Sequence, residues 1–299
     1  MHSAGPTPIE TGDPPAGFDV LRTQLWTLDR DEFGGFGAGS AATPIGGSFV
    51  GRVAMAAASH ALVVAGRHSE AGGIVLSGAL GTELRTIGEL EVGTDDLVVL
   101  IELVEVLGVW HLFGLDARGH TTHHTSADLA VWRRRFEIDA SFPAFAVTGA
   151  TAHAGGLLLA GRVVVDRAAY GWGLLAFDGE QFVARPVPVP LASQINVVGP
   201  VVNASGNLTL LLDSGSTHTV ARADGMGWTL SLLTPTMVPT TAFAIDDEIW
   251  MAGHMSDHDQ PTIARVGGTQ RGTAGPGDCG LVRMALVVGG QVVMACDCR

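Results

Sequence analysis

Lysine does not occur in the chain: all 17 basic residues are arginine, set against 30 acidic ones, for a formal net charge of -13. A surface that binds nucleic acid needs clustered positive charge to displace counterions, so this balance speaks against such a partner. The one basic cluster, Arg133-Arg134-Arg135, falls in the strand-like segment VWRRRFEI and reads as a solvated strand edge. Long hydrophobic runs are missing too. Apolar residues make up 46% of the chain, yet they come in runs of about four to eight broken by Gly, Asp and Ser, far short of the roughly 20 that a membrane-spanning helix needs. We therefore expect a water-soluble protein.

Cysteine occurs three times, at Cys279, Cys296 and Cys298. A bond from Cys279 to either of the others would tie down the last segment and imply an oxidising compartment; buried or free thiols fit equally well. Cys296-Asp297-Cys298 falls short of the paired knuckles of a structural zinc site. The opening MHSAGPTPIETGDPPAG has neither a basic n-region nor an apolar h-region, and residues 1–17 read as a flexible tail that leaves both an extracytoplasmic and a cytoplasmic setting open. No GxSxG, Walker loop, HExxH or CxxC motif is present, so local spacing assigns no catalytic class.

What the chain does contain is a repeat. An apolar strand ending in a small or polar residue recurs as LVVAGR (Leu62 to Arg67), WHLFGL (Trp110 to Leu115), LLLAGR (Leu157 to Arg162), LTLLLD (Leu208 to Asp213), IWMAGH (Ile249 to His254) and QVVMAC (Gln291 to Cys296). Successive copies lie about 41 to 51 residues apart, the length of a four-stranded blade. Another apolar strand precedes each copy and one or two strands of alternating polarity follow it, as expected where blades stack face to face and bury their inner strands on both sides. The tidiest unit is Gly155 to Pro190. It reads as strands Leu157 to Val165, Trp172 to Phe177 and Phe182 to Val189, with Pro186, Pro188 and Pro190 confined to an outer edge because proline cannot donate to a ladder. The Gly-rich stretch Gly267 to Gly277 reads as a poor outer strand or a loop. The chain stops after the inner pair of the sixth unit, so we expect Leu21 to Leu28 and a weaker strand near Phe33 to Gly39 to complete it, making residues 18–299 one domain.

These units resemble six-bladed β-propellers, with a likeness to kelch and Asp-box repeats. It is carried by the turns Phe177-Asp178-Gly179 and Ala223-Asp224-Gly225 ahead of Phe182 and Trp228, and by the pairs Gly72-Gly73 and Gly155-Gly156. The full Asp-box spacing is missing, as are most kelch positions. The resemblance implies an all-β fold of four-stranded antiparallel blades whose ring is closed by the N-terminal strands, and it implies no transferable active site.

In such a toroid the loops after the second strand and before the first strand of each blade gather around one mouth of the axial channel. The repeat then sets Arg67, Leu115, Arg162, Asp213, His254 and Cys296 in one ring, with His68, Asp116, Arg118, Tyr170 and Trp172 in the segments beyond. Arginine offers bidentate contacts to carboxylates and tryptophan a stacking face, so we expect Arg67, His68, Asp116, Arg118, Arg162, Tyr170, Trp172, Asp213 and His254 to hold an acidic or sugar-like ligand. Among 11 histidines, His120 and His124 share one face of an extended strand, with His123 on the other. Together with His254 and His258 they are candidate ligands for a divalent metal, zinc or calcium, although spacing fixes no third ligand. His60, His111 and His153 flank apolar strands and read as core or channel groups. Glu102 and Glu105 fall on opposite faces of their strand and do not form a glycosidase pair. Two functions follow. The first is a non-catalytic, monomeric binding or scaffold propeller presenting its polar loop face to a protein, peptide or glycan. The alternative is a metal-assisted hydrolase or lyase with His68, His254, His258 and Asp213 gathered at the channel mouth.

Overall fold

The short apolar runs, each bounded by glycine or by turn acids, fold into antiparallel strands, which make up nearly all the regular structure among the described residues. The computed structural model describes residues 22–28, 42–58, 61–68, 72–79, 84–90, 97, 99–136, 138, 141–142, 144–165, 169–187, 195–214, 217–224, 227–233, 237–255, 261–268, 271–273 and 279–298. In chain order the strands begin with β1 (Arg22–Leu28), β2 (Ala42–Ala58), β3 (Ala61–His68), β4 (Gly72–Ala79) and β5 (Arg85–Glu89). Next come β6 (Val99–Val106), β7 (Val109–Leu115), β8 (Thr121–Ser126) and β9 (Arg133–Arg135), then β10 (Phe145–His153), β11 (Gly156–Val165), β12 (Ala169–Phe177) and β13 (Phe182–Arg185). The remainder are β14 (Asn196–Val202), β15 (Leu208–Asp213), β16 (His218–Ala223), β17 (Trp228–Leu233), β18 (Met237–Ile245), β19 (Glu248–Met255), β20 (Pro261–Arg265), β21 (Arg271–Thr273), β22 (Cys279–Val288) and β23 (Gln291–Cys298).

Four blades are separate four-stranded sheets, β6–β9, β10–β13, β14–β17 and β18–β21, each a simple meander. The other two share one seven-stranded sheet ordered β22-β23-β1-β2-β3-β4-β5. β1 pairs with β23 on one side, Leu25 opposite Ala295, and with the first half of β2 on the other, Thr27 opposite Thr43. The second half of β2 pairs with β3, Met55 opposite Val64. One long strand thus serves as the outer edge of the last blade and the inner strand of the first. The segment Phe33 to Gly39, expected as that outer edge, lies outside the described residues; residues 42–50 occupy the place beside β1.

The first strands touch in sequence around a ring, β2 to β6, β10, β14, β18, β22 and back to β2. Six buried clusters fill the six blade interfaces, among them Phe113, Phe145 and Leu159 between the second and third blades and Leu28, Trp250 and Met294 between the fifth and sixth. Each inner strand is therefore packed on both faces, which is why these strands read as nearly continuous apolar runs. The molecule is a six-bladed β-propeller.

Two outer edges differ from the sequence reading. β13 stops at Arg185, so Pro186 follows the ladder rather than alternating within it, because the missing N–H ends the pairing. The Gly-rich segment of the fifth blade does form a strand, β21, in which Ile263 of β20 faces Gly272.

Every first strand carries an irregularity at the same level. Thr148 in β10 and Thr240 in β18 are extra residues opposite a regular second strand, and Ile101 in β6 and Arg283 in β22 occupy the equivalent position. The bulge pushes the first-strand carbonyl against the second strand. A Cβ on Gly161 would lie 2.6 Å from the Ala146 carbonyl oxygen, and one on Gly253 only 1.9 Å from that of Val238. The recurring glycine in LLLAGR and IWMAGH is thus set by close backbone approach. The bulge also frees a second-strand carbonyl, which the extra threonine approaches: Thr148 Oγ1 donates to Ala160 O at 3.3 Å, while Thr240 Oγ1 lies 3.2 Å from Ala252 O and donates to Val282 O of the next blade at 2.5 Å.

Candidate functional site

The bulge level matters because its residues face the axis. Arg52, Ile101, Thr148, Gly199, Pro200, Thr240 and Arg283 all line one axial cavity of about 720 Å³. Arg162 and Asn196 join the wall from the third and fourth blades, with Arg162 Nη2 donating to Asn196 Oδ1 at 3.1 Å. The channel therefore carries three arginines, Arg52, Arg162 and Arg283, in a chain that is strongly acidic as a whole.

Their partners are unequal. Asp297, buried near the end of β23, accepts from Arg283 Nε at 2.7 Å and lies 2.6 Å from Arg283 Nη2. The Thr23 hydroxyl on β1 donates to the Gly51 carbonyl at 2.6 Å and stands 3.3 Å from Asp297 Oδ1. Arg283 is thus neutralised. Arg52 is held less closely: its Nε is buried without a hydrogen-bond partner, and the Asp297 charge acts on it only after those of Glu102 and Arg283. The acid facing it is Glu102, half-buried in the channel wall. Burial pushes the Glu102 carboxyl up to about 8, against the opposing pull of the Arg52 charge and of the Leu103 and Ala150 amides. Burial likewise lowers the Arg52 pKa, while Glu102 raises it. A carboxyl with a pKa near 8 is mostly protonated at neutral pH, so the Arg52 charge faces a neutral acid. The net result is a positive region at the Arg52 level of a bore whose wall also carries Asn196, threonine hydroxyls and, on the β6–β7 side, the exposed carboxylate Glu105, which accepts the Gly108 amide.

Of the residues expected at the mouth, Arg162 reaches the channel. Arg67 and His68 end β3 and Tyr170 lies in β12 by backbone, their side chains falling outside the described residues, as does all of His258. Asp116 caps its own turn, accepting the Arg118 and His120 amides at 2.8 Å each, and Arg118 is exposed on that turn. Asp213 is buried and stands 3.3 Å from His218 Nδ1 on the neighbouring strand. His254 is half-buried in β19 opposite Val238. Trp172 departs from expectation: at 1% exposure it packs with Leu174, Val197 and Leu210 between two blades and offers no stacking face. Its ladder position beside Arg162 sends its ring into the interface instead of the mouth. The last blade is also out by one position. The β22 bulge falls opposite Cys296, which takes the place of Gly253, and this makes Asp297 the equivalent of His254 and Arg162.

The candidate metal ligands are spread out. His120 is exposed beside Asp116, His124 is buried in β8, and His254 belongs to the fifth blade; among the described residues no three His, Cys, Asp or Glu side chains gather. Arg52, Arg283 and Asp297 were missed by spacing arguments. The available signal was an ionisable residue inside an inner apolar strand, as in GRVAMAAA and LVRMALVV.

No protein-family model and no curated sequence matches the chain. Solved structures do share its fold. A protein described as TolB from Agrobacterium tumefaciens superposes with a TM-score of 0.60 at 8% identity, over 93% of this chain and 99% of the other. The six-bladed lectin of Aleuria aurantia, with its fucose recognition mode, gives 0.57 at 9% identity over 81% and 86%. A protein described as a gluconolactonase gives 0.56 at 14% identity over 91% and 97%. At such identities the likeness is one of architecture.

Proposed function

We propose that the protein is a binding propeller whose axial channel takes a carboxylated, sugar-like ligand. The observation that carries this reading is the Arg52 guanidinium, set in the channel against a protonated Glu102 while Arg283 is neutralised by Asp297. A carboxylate entering at this level would gain a charge-assisted hydrogen bond at Arg52, with Arg162 and Asn196 across the bore. Thr148 and Thr240, whose hydroxyl protons go to backbone carbonyls, add oxygen acceptors at the same level for the hydroxyls of a polyhydroxylated body. The Aleuria lectin lends support in that the same architecture serves a protein with a fucose recognition mode. Titration calorimetry with galacturonate oligosaccharides and with neutral methyl fucoside tests the proposal. We expect saturable binding of the uronate, weakened about tenfold or more by Arg52→Met and by added salt. Equal affinity for the neutral sugar, or unchanged uronate binding in Arg52→Met, would overturn it.

A further inference from the structure

A second cavity, of about 260 Å³, opens between the second and third blades at the end of the molecule where β6 turns into β7, away from the arginine level of the channel. Its walls are mostly carbon, from Val106, Leu107, Val109, Leu157 and Phe177. Two histidines form its floor. His111 and His123 are 6% and 3% exposed, stack with ring centroids 5.2 Å apart, and share a hydrogen bond of 3.0 Å between His111 Nδ1 and His123 Nε2. Phe113 stacks beneath His123 at 4.6 Å and Phe182 meets it edge-on. Burial above all holds both imidazoles neutral: with the Arg135 charge it pushes His111 down to about 4, and with the neighbouring His111 and His124 rings, and then Arg135, it pushes His123 down to about 3.

The shared hydrogen bond assigns the tautomers. His123 Nδ1 is buried with no partner, and a stranded N–H donor is the rarer and costlier orphan. The proton of His123 is therefore placed on Nε2, where it is donated to His111 Nδ1. His111 must then carry its own proton on Nε2, which makes that N–H the ring's remaining donor in a residue that lines the cavity. Arg135 completes the lining with a positive charge.

The rim gives an independent sign. Leu107 takes a positive φ of 51° at the first position of its hairpin and is 85% exposed. The corresponding hairpin positions of other blades hold Ala154, Asp246 and Gly289, at φ 50°, 54° and 57°. A leucine here bears both backbone strain and exposure, and such outliers cluster where a ligand is clamped. Val109 beside it is also exposed, at 37%.

We infer that this inter-blade cavity binds a small aromatic carboxylate, its ring against Phe177 and the His111 imidazole, its carboxylate between the His111 Nε2–H and Arg135, and Leu107 closing over it. The assignment is independent of the channel ligand. The test is to titrate ¹⁵N-labelled protein with phenylacetate and with benzyl alcohol while following the imidazole nitrogens of His111 and His123. Phenylacetate should shift both in a saturable manner. Arg135→Gln should weaken it about tenfold and leave benzyl alcohol unaffected, Val109→Trp should block both ligands at the rim, and Arg52→Met should change nothing. Absence of a saturable shift at millimolar phenylacetate, equal affinity for benzyl alcohol, or undiminished binding in either Arg135→Gln or Val109→Trp would overturn the proposal.

Discussion

Replacing Glu102 by glutamine should make the protein more stable in alkali and nearly indifferent in acid. The carboxyl has a pKa of about 8 in the fold, against an ordinary value of 4.5. Between those two values the folded state holds a proton that the unfolded state has released, so stability falls as pH rises through this window. It is greatest below 4.5 and fully diminished above 8. A tenfold change in proton affinity is worth about 1.4 kcal/mol, which sets an upper bound of about 5 kcal/mol. Glu102 is only partly enclosed by the channel wall, which lessens this bound, and roughly 2 to 4 kcal/mol is the expected difference. Glutamine has nearly the same shape and removes the titration. Thermal unfolding followed by circular dichroism, for parent and variant at pH 5 and pH 9, isolates the effect because all other titrations cancel in the double difference. The melting temperature of the parent should fall between these pH values by roughly 5 to 10 °C more than that of Glu102→Gln. Parallel pH dependences would refute the placement of a protonated carboxyl opposite Arg52. Uronate binding should also weaken above pH 8 in the parent, as Glu102 ionises and competes for Arg52, and should keep its affinity in the variant.

Gly253→Ala would force a Cβ to within 1.9 Å of the Val238 carbonyl oxygen, and a loss of about 3 kcal/mol or more in urea unfolding is expected; a loss below about 1 kcal/mol would show that the bulge yields. Thr240→Val strands the Val282 carbonyl, the nearer of the two that the hydroxyl reaches, at about 1 to 2 kcal/mol by the same measurement. The His111–His123 pair gives an acid limb of opposite sign to that of Glu102. Both rings are held below their ordinary value of 6.5, so their contribution is fully present above pH 6.5 and is lost as pH falls toward 4. His111→Phe should recover about 2 to 3 kcal/mol of the parent's loss between pH 7 and pH 4.5, read from urea midpoints.

The fold was largely legible in the chain because a propeller is built from local, sequential pairings. Each blade is a meander, and the alternation of doubly buried inner strands with half-exposed outer ones is written directly into apolar runs such as Leu157 to Val165. Even the recurring glycine of LLLAGR and IWMAGH carried information, although its cause, a first-strand carbonyl pressed against it, is visible only once the bulge is seen. The sharing of β2 between two blades was less legible. That long strand changes partners near Phe49, and nothing in its composition marks the change.

The channel site was hidden for a different reason. Arg52, Glu102 and Arg283 come from three separate first strands, and only the stacking of the first, second and sixth blades around one axis brings them to a common level. Their charges cannot be judged from sequence either: Glu102 stays protonated because packing removes its water, and Arg283 is neutralised by an Asp297 that a one-residue register difference moves into place. Trp172 shows the same limit from the other side, since its position in the repeat was readable but the face it turns to was not. Apolar period, glycine and turn chemistry determined the six-bladed ring, whereas long-range packing alone decided which ionisable groups face one another and in which protonation state.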